Sequence, residues 1–349
     1  MALSSAAECF TLAAGLHGTV VCMSLLSDSQ LNQHGYFVPE NPVAADQPAR
    51  SWLSQFGLLR VQGPDSEKLL QGQLTCDVVA LDAQHWTLGA CCNAKGRMVA
   101  NFIIARDEQG FWLRLPHDQV SPLQQHLQKY AVFFKAELQD LSTTHAIIAD
   151  LPAETAASGC IDNQDLPQRR VCQWQDGTAR LELGDGRREY WLEKNAAEAQ
   201  LQDVALCCSD RNNRLDLNQG IIWVTGDSRE HWIPQNIDWH RQGGISFSKG
   251  CYTGQEIVAR LQYLGKAKKA LFRIRSSDSQ APALLCTVTS ESGKNLGEIT
   301  AWQRDQGLAL LNDDDELRQV RVKTAENQQF SASVQKLSYT EEQTTNSGA

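Results

Sequence analysis

Short apolar runs that alternate with turn residues mark the first half of the chain. The runs are rich in β-branched and aromatic residues, as strands are, and the polar sequences NAKG and RDEQG that separate them favour turns. They are HWTLGACC (85–92), RMVANFIIA (97–105) and GFWLRLP (110–116). This pattern predicts an antiparallel meander. Two later runs, HAIIADL (145–151) and REYWLEK (188–194), predict further strands, with a loop at 158–170 between them.

A helical period follows the meander. Leu123, Leu127 and Tyr130 recur at spacings of four and three residues, which predicts a helix over 121–134. Pro122 would then lie in the first turn of that helix, where its missing N–H group is tolerated.

A second helix is predicted where TGQE precedes the apolar sequence IVARL. Thr253 as the N-cap and Glu256 as the residue that reaches back fit the capping-box pattern. Glu256 is also spaced to form an ion pair with Arg260, and Gly265 is a natural end for the helix. Cys251 would then lie just ahead of a helix N-terminus, where unpaired N–H groups favour an anion.

The local charge also points to a functional role for Cys251. Lys249 lies two residues away, so we expect the thiolate form of Cys251 to be stabilised and reactive; the alternative is a buried, inert cysteine. Residues 249–275 include seven basic residues against one acidic residue, although the net charge of the chain is −9. We therefore expect this segment to attract a carboxylate or a phosphate. The seven residues are Lys249, Arg260, Lys266, Lys268, Lys269, Arg273 and Arg275.

The pattern changes from Ala267 onward to short strands that are separated by turn signals. Many short strands at regular spacing are typical of a small closed β-barrel or a sandwich. The predicted strands are KALFRIR (269–275), ALLCTVTS (283–290), GEITAW (297–302), GLALL (307–311), QVRVKT (319–324) and SVQKLSY (333–339). The last ten residues are polar, and we expect them to fray.

Composition and cysteine usage narrow the class of protein. The 349 residues are enough for two or three domains. The first basic residue is Arg50, so the opening segment lacks the charged start of a signal peptide, and no apolar run is long enough to span a membrane; we expect a cytoplasmic protein. Eleven cysteines are an odd number, which favours free thiols. The pairs 91–92 and 207–208 lack the spacing of zinc ligands, so we expect buried apolar side chains and no bound metal.

Several motifs, in the same order along the chain, resemble those of one family. KGCYTGQEIVAR (249–260) looks like the signature of the YgfZ family of folate-binding proteins, and a signature of this length is specific. The other matching stretches are GPDSEKLLQGQLTCDV (63–78), NAKGRM (93–98), KYAVF (129–133), IPQN (233–236) and GGISF (243–247). The resemblance covers roughly residues 52 to 345.

The resemblance implies an α+β fold similar to that of the glycine-cleavage T protein. Two mixed α/β regions would surround a central tetrahydrofolate pocket, and a C-terminal β-barrel would follow them. The expected regions are an N-terminal extension (1–49), a first α/β region with the meander (50–140), a second α/β region with the signature (141–265) and the barrel (266–345).

The resemblance also implies a function and a set of site residues. Family members are associated with the maintenance of iron-sulfur enzymes, including those that methylthiolate tRNA, and the signature cysteine is regarded as the functional residue. In this sequence it is Cys251, with Lys249 beside it. The positions expected to bind the cofactor are Phe56, Asn212, Asn218, Tyr252, Gly254, Gln255, Glu256 and Arg260. Folate and iron-sulfur proteins are the expected partners, and neither direct nucleic-acid binding nor membrane binding is expected.

Some positions depart from the pattern of the relatives. Ala100 and Asn101 stand where aminomethyltransferases have two aspartates, so we expect no aminomethyltransferase activity. Asn218 stands where relatives have a glutamate that contacts the pterin, and an amide forfeits the charge assistance of that bond. Asn212 and Phe56 stand where some relatives have pocket tryptophans. Two functions stay open: a folate-dependent accessory protein that uses the signature thiol, or a scaffold that has lost folate and in which this cysteine is structural.

Overall fold

The computed structural model describes residues 26–154, 160–161, 170–264, 268–277, 281–324 and 328–339. These residues form two five-stranded sheets, a closed six-stranded barrel and a pair of short parallel strands, together with five α-helices. Outside them lie the predicted helix end at Gly265, Lys266 of the basic segment, most of the predicted loop at 158–170 and the last ten residues. No helix within the described ranges is long and apolar enough to cross a membrane.

The predicted meander forms most of the first sheet, in which neighbouring strands are antiparallel throughout. In spatial order the strands are β3 (Trp86–Cys92), β4 (Met98–Asp107), β5 (Gly110–Pro116), β2 (Phe56–Gln62) and β6 (Glu137–Asp140). The NAKG sequence makes the turn from β3 to β4, because Gly96 adopts the positive φ of 71° that the turn requires. The prediction of a meander is confirmed.

Two helices, α1 (Ser66–Gln71) and α2 (His117–Ala131), pack on one face of the first sheet. Leu123 and Leu127 of α2 are buried there, as the helical period predicts. The predicted start of α2 was wrong, because Pro116 ends β5 and the chain enters the helix at once. Pro122 therefore lies in the second turn of α2 instead of the first.

The second sheet is also antiparallel, and the two strands that the sequence predicts lie at its centre. In spatial order the strands are β1 (Ala49–Trp52), β7 (His145–Leu151), β11 (Arg188–Glu193), β10 (Thr178–Glu182) and β9 (Cys172–Gln175). Helix α3 (Lys194–Gln200) packs on this sheet through Ala197. Phe37, from the expected N-terminal extension, is fully buried beside Trp52, with 6.0 Å between the ring centroids. The division into four regions stays a prediction.

The C-terminal strands close into a six-stranded antiparallel barrel, as predicted. Around the barrel the strands are β12 (Lys269–Arg275), β15 (Gln306–Asn312), β14 (Asn295–Gln303), β13 (Thr287–Thr289), β16 (Gln319–Lys323) and β17 (Gln329–Lys336). Side chains along β16 and β17 alternate between exposed and buried positions, and Val320, Val322 and Phe330 point into the barrel. Strand β13 is shorter than the run predicted over 283–290, because a turn with Leu285 at a φ of 64° precedes it.

A short parallel strand pair forms where the chain leaves the barrel. Strand β8 (Cys160–Ile161) falls inside the stretch predicted as a loop and pairs with β18 (Ser338–Tyr339), which follows the barrel. Two-residue strands are too short to show a period, so the sequence pattern could not predict them. The Tyr339 hydroxyl also donates to Oδ2 of Asp238 at 3.1 Å, which holds β18 against the residues around Trp239.

A fully buried ion pair joins the two sheets. Arg114 of β5 donates to both carboxylate oxygens of Glu189 of β11, and neither side chain has any exposed area. The guanidinium lies 3.9 Å from the ring centroid of Phe56 and 4.6 Å from that of Trp223. Glu189 also accepts a hydrogen bond of 2.9 Å from Nε1 of Trp191. The two charges are therefore compensated by each other, by aromatic faces and by a neutral donor.

We predict that Arg114→Met lowers the free energy of unfolding by about 3–5 kcal/mol, because it leaves the Glu189 carboxylate buried without its partner. Urea unfolding followed by circular dichroism measures this change. The matched control is Arg260→Met in the exposed pair with Glu256, which should cost less than about 1 kcal/mol. Equal losses for the two variants would contradict the structural role of the buried pair.

Candidate functional site

Lys249 fixes the turn that carries Cys251 onto the loop that follows α1. Its Nζ atom donates to the backbone carbonyls of Gln71 at 2.8 Å, Leu74 at 2.7 Å and Cys76 at 2.8 Å. The side chain is buried, and burial lowers the pKa of its ammonium group. All three hydrogens of the ammonium are used by these carbonyls, so none remains for the Cys251 thiol. Lys249 therefore positions the turn.

Tyr252 and Thr253 complete the attachment of this turn. The Tyr252 ring is buried, with its centroid 5.3 Å from Nζ of Lys249. Thr253 donates from its N–H to the Gly72 carbonyl at 3.1 Å and from its hydroxyl to Oε1 of Gln73 at 3.1 Å. The turn is thus held on both sides of Cys251 by the stretch QGQLTC.

The helix after the turn, α5 (Gln255–Leu264), begins one residue later than the capping box predicts. Val258 N–H donates to the Gly254 carbonyl, so Gly254 precedes the helix, whereas the Thr253 hydroxyl binds Gln73. The prediction of Thr253 as N-cap was therefore wrong. The predicted ion pair is confirmed, since Glu256 accepts a bond of 3.0 Å from Arg260, and both side chains are exposed.

Gly254 allows the NAKG turn to approach the start of α5. Its φ is 86°, and a Cβ atom at this position would lie 2.5 Å from the Asn93 carbonyl oxygen and 3.1 Å from Cα of Gly96. A Cβ on Gly96 would in turn lie 2.8 Å from Cβ of Ile257. Three separated motifs, QGQLTC, NAKGR and KGCYTGQE, therefore meet around Cys251.

Cys251 is the only exposed cysteine among those whose side chains the structure describes. Burial raises the pKa of Cys76, which lies near Lys249, to about 12. It raises the pKa of Cys91 and of Cys207 to about 12 as well. The expectation of buried, inert thiols is confirmed for these residues, whereas Cys251 is open to other molecules. No cluster of three His, Cys, Asp or Glu side chains within the described ranges could hold a metal ion.

A second group of predicted residues lies in the core around helix α4 (Asp210–Asn218). Asn212 is fully buried; its Oδ1 accepts a bond of 2.9 Å from Arg187, and its Nδ2 donates to Asp216. Asp216 also accepts bonds from Arg187 at 2.6 Å and from Nε1 of Trp223 at 2.7 Å. Burial opposes the charge of Arg187, but Asp185 and Asp216 outweigh it and raise its pKa. Asn212 thus braces α4 and has no free polar atom.

Phe56 belongs to the same core. It is buried, and its ring meets that of Trp223 edge to face at 5.6 Å. Trp223 in turn meets Trp239 edge to face at 5.7 Å. Two buried donors beside these rings, Nη1 of Arg114 and Nε1 of Trp239, have no hydrogen-bond partner among the described residues.

Asn218 lies where α4 meets the barrel and is only half-buried. Its Oδ1 accepts a bond of 3.2 Å from Gln306 of β15, and its carbonyl accepts one of 2.6 Å from Arg273 of β12. Arg273 is 8% exposed, and burial lowers its pKa. Asn218 is thus the most accessible of the three predicted pocket residues.

The described part of the basic segment does not form one continuous surface. Lys249 and Arg273 are buried and bind backbone carbonyls, whereas Lys268, Lys269 and Arg275 are exposed. The expectation that all seven basic residues attract an anion is therefore wrong for the two buried ones.

Contacts connect the α4 core to the turn with Cys251. Gly244 packs directly on the Trp239 indole, where a Cβ atom would collide with the ring. Its carbonyl accepts a bond of 2.6 Å from the Thr75 hydroxyl, and Thr75 lies between two carbonyls that bind Lys249. The sequence did not predict that Thr75 links these two regions, because its partners are far away in sequence.

The sequence also did not predict the buried ion pair of Arg114. The available signal was a charged residue within the apolar run GFWLRLP, because a charge in a buried strand needs a partner.

Comparisons with known proteins agree with this architecture. No protein-family model matches the chain. The glycine cleavage system aminomethyltransferase T from Bartonella henselae superposes with a TM-score of 0.59 at 15% identity, over 83% of this chain and 86% of that one. The protein therefore has the fold of the glycine-cleavage T protein, with a C-terminal β-barrel.

Sequence relatives identify the family within this fold. The tRNA-modifying protein YgfZ of Colwellia psychrerythraea is 30% identical over 283 residues, which are 77% of this chain and 87% of the relative. The protein of the same name from Hamiltonella defensa is 34% identical over 242 residues, or 66% of this chain and 70% of the relative. The chain belongs to the YgfZ family.

We predict that Lys249→Met loosens the turn without unfolding the protein. Three backbone carbonyls lose their donor, two of them at buried positions, which should lower the free energy of unfolding by about 2–4 kcal/mol. Hydrogen exchange should become faster in 71–76 and 246–253. Lys68→Met, at an exposed position on α1, is the control and should leave exchange unchanged. Unaltered exchange in Lys249→Met would contradict the positioning role.

Proposed function

We propose that the protein is a folate-binding accessory protein that supports tRNA modification through the maintenance of iron-sulfur enzymes, with the Cys251 thiol as its functional group. The relatives are named as tRNA-modifying proteins, and the structural neighbour is an aminomethyltransferase T protein. The observation that carries the proposal is an exposed thiol on a turn that three separated motifs build.

The geometry around Cys251 is suited to a thiol that meets a partner. The side chain is exposed, four residues ahead of the first residue of α5. The turn is fixed by hydrogen bonds on both sides, which reduces the entropy that Cys251 would lose when it meets a partner. A cysteine with a purely structural role would be buried, as Cys76 and Cys91 are.

The residues at the junction of α4 and the barrel fit tetrahydrofolate in part. A pterin needs polar edges and flat apolar faces. Asn218 and the unpartnered donors of Arg114 and Trp239 offer the polar groups, and the Trp223 ring offers an apolar surface. Asn212 and Phe56 would hold these groups in place, since the amide of Asn212 is engaged by Arg187 and Asp216 and the Phe56 ring packs against Trp223. When bound, tetrahydrofolate supplies a carrier for one-carbon units.

The expected lack of aminomethyltransferase activity is part of the proposal. Ala100 and Asn101 are fully buried on β4. Asn101 donates to the Ile222 carbonyl and accepts from the Val224 N–H, each at 2.8 Å. Its amide therefore holds the segment before Thr225 and is not available as an acid or a base.

A scaffold that has lost folate is the second candidate. Asn212 uses both of its amide atoms within the core, and the polar atoms of Asp216 are likewise engaged. These contacts would favour a pocket that has been filled by the protein's own side chains. A titration with tetrahydrofolate separates the two candidates.

We predict that Cys251→Ser folds normally and loses the cellular function. In a deletion strain, the variant should fail to restore the activity of iron-sulfur enzymes that methylthiolate tRNA, and its thermal unfolding should match that of the wild type. Cys286→Ser, at a half-buried cysteine of the barrel region, is the control and should restore the activity. Full restoration by Cys251→Ser would refute the role of the thiol.

We predict that tetrahydrofolate binds more tightly as its glutamate chain lengthens. Lys268 and Lys269 are exposed at the start of β12, and each added glutamate should contribute about 0.2–1 kcal/mol, as solvent-exposed ion pairs do. Added salt should reduce this gain, because exposed charges are screened over about 8 Å at physiological ionic strength. Calorimetry with monoglutamyl and triglutamyl tetrahydrofolate at two salt concentrations measures both effects.

Variants distinguish binding of the glutamate chain from binding of the pterin. Lys268→Gln with Lys269→Gln should abolish the gain from extra glutamates, whereas Lys323→Gln on β16 should not. Asn218→Ala should weaken both ligands equally, by about 1 kcal/mol. No measurable binding of either ligand would favour the scaffold.

A further inference from the structure

A cavity of about 910 Å³ lies between the first sheet and the edge strand β9 of the second sheet, away from the residues of the proposed folate and thiol sites. Strands β2, β5 and β6 of the first sheet line one part of it, and β9 with its following turn lines another. None of the lining residues belongs to the signature 249–260 or to α4. We call it the Trp174 cavity.

One wall of the Trp174 cavity is rigid and electrically neutral. Arg60 donates to Oδ1 of Asp107 at 2.7 Å, and its guanidinium lies 4.8 Å from the ring centroid of Trp112. Nε1 of Trp112 donates to Oδ2 of the same carboxylate at 2.8 Å. Burial by itself would raise the pKa of Asp107, but the bonds from Arg60 and Trp112 hold it below its ordinary value. The charge of Arg60 is therefore compensated before any ligand arrives.

A tryptophan and a ring of amides give the cavity its binding chemistry. The Trp174 ring is half-buried, and its centroid lies 5.6 Å from that of Trp112 at an angle of 44°. Two donors have no hydrogen-bond partner among the described residues: Nε1 of Trp174 and Nη1 of Arg60. The Arg60 residue is 4% exposed. Six glutamines offer donors and acceptors together. They are Gln62, Gln84, Gln109, Gln139, Gln173 and Gln175.

The remaining charge of the cavity is negative. Glu108 lies in the turn between β4 and β5, and Asp176 lies in the turn between β9 and β10. Both are exposed, and neither has an ion-pair partner within the described ranges. Arg60 is the only basic residue in the lining. A phosphate ligand is therefore disfavoured, and the described carboxylates do not converge as metal ligands would.

We propose that the Trp174 cavity binds an extended segment of a partner protein that carries a Lys or Arg side chain. Main-chain carbonyls of such a segment would accept hydrogen bonds from Trp174 and Arg60. Its peptide groups would also donate to the carbonyl oxygens of the glutamine side chains and accept from their NH₂ groups. The basic side chain would pair with Glu108 and Asp176. An apolar or cyclic side chain would lie on Trp174, as in grooves that recognise extended peptides through aromatic residues.

A random heptapeptide display library tests this proposal on the full chain. Selection on the wild type, with counter-selection on the Glu108→Gln/Asp176→Asn variant, should enrich peptides with net positive charge. Fluorescence anisotropy with the most enriched labelled peptide then measures affinity. Each lost carboxylate should weaken binding about 1.5- to 5-fold, the range for exposed ion pairs, and added salt should weaken it further.

The control is a variant with the same two exchanges elsewhere, Glu291→Gln/Asp203→Asn. Both residues are exposed, and Asp203 has a positive φ of 53°, close to the 49° of Asp176. The control should bind as the wild type does, and Trp174→Leu, with its fold verified by urea unfolding, should lose most of the affinity. Enrichment of neutral or acidic peptides, no enrichment, or equal weakening in both double variants would overturn the proposal. Binding of spermidine as tight as that of the peptide would also overturn it, in favour of a free polyamine.

Discussion

The buried pair of Arg114 and Glu189 is the constraint on which the arrangement of the two sheets depends. A charge without compensation is too costly to bury, so β5 and β11 must lie where these two side chains can meet. The rings of Phe56 and Trp223 cover the guanidinium and fill the space on either side of it. Nε1 of Trp223 donates to Asp216 of α4, so the ring that covers Arg114 also fixes the position of the helix at the proposed pocket. The pair thus specifies the relation between the sheets more than it adds to stability.

The buried ammonium group of Lys249 follows the same physical rule beside the turn that carries Cys251. An ammonium group can be buried only when its hydrogens find acceptors, and the last residue of α1 and the loop after it together offer three carbonyls within 2.8 Å. The loop must adopt one conformation to present them together. Cys251, two residues further along the chain, is consequently held in place although its own side chain is exposed.

Local sequence patterns predicted most of the strands and helices, whereas the roles of individual side chains depend on hydrogen bonds to residues that are distant in sequence. The meander and the strands of the barrel could be predicted because alternation and turn residues are properties of short stretches. Closure into a barrel instead of a sandwich was implied only by the family resemblance. The role of Lys249 could not, because its acceptors come from residues 71–76 and a carbonyl has no sequence signature. The capping box failed for the same reason, since Gln73 competes for the Thr253 hydroxyl. The place of Asn212 in a folate pocket stays a prediction, and its engagement by Arg187 could not be predicted, because Arg187 lies in a turn between strands that is distant in sequence.

The distribution of charge separates the two proposed sites. Of the six basic residues between 249 and 275 that the structure describes, Lys249 and Arg273 are buried in structural roles, so attraction of an anion near the barrel depends on exposed residues such as Lys268 and Lys269. The Trp174 cavity has the opposite sign, because Arg60 is neutralised by Asp107, while Glu108 has no ion-pair partner among the residues that the structure describes. Sites of opposite sign repel each other's ligands, and they share no lining residue. A folate polyglutamate and a basic segment of a partner protein would therefore not compete, and one molecule of the protein could hold both at once.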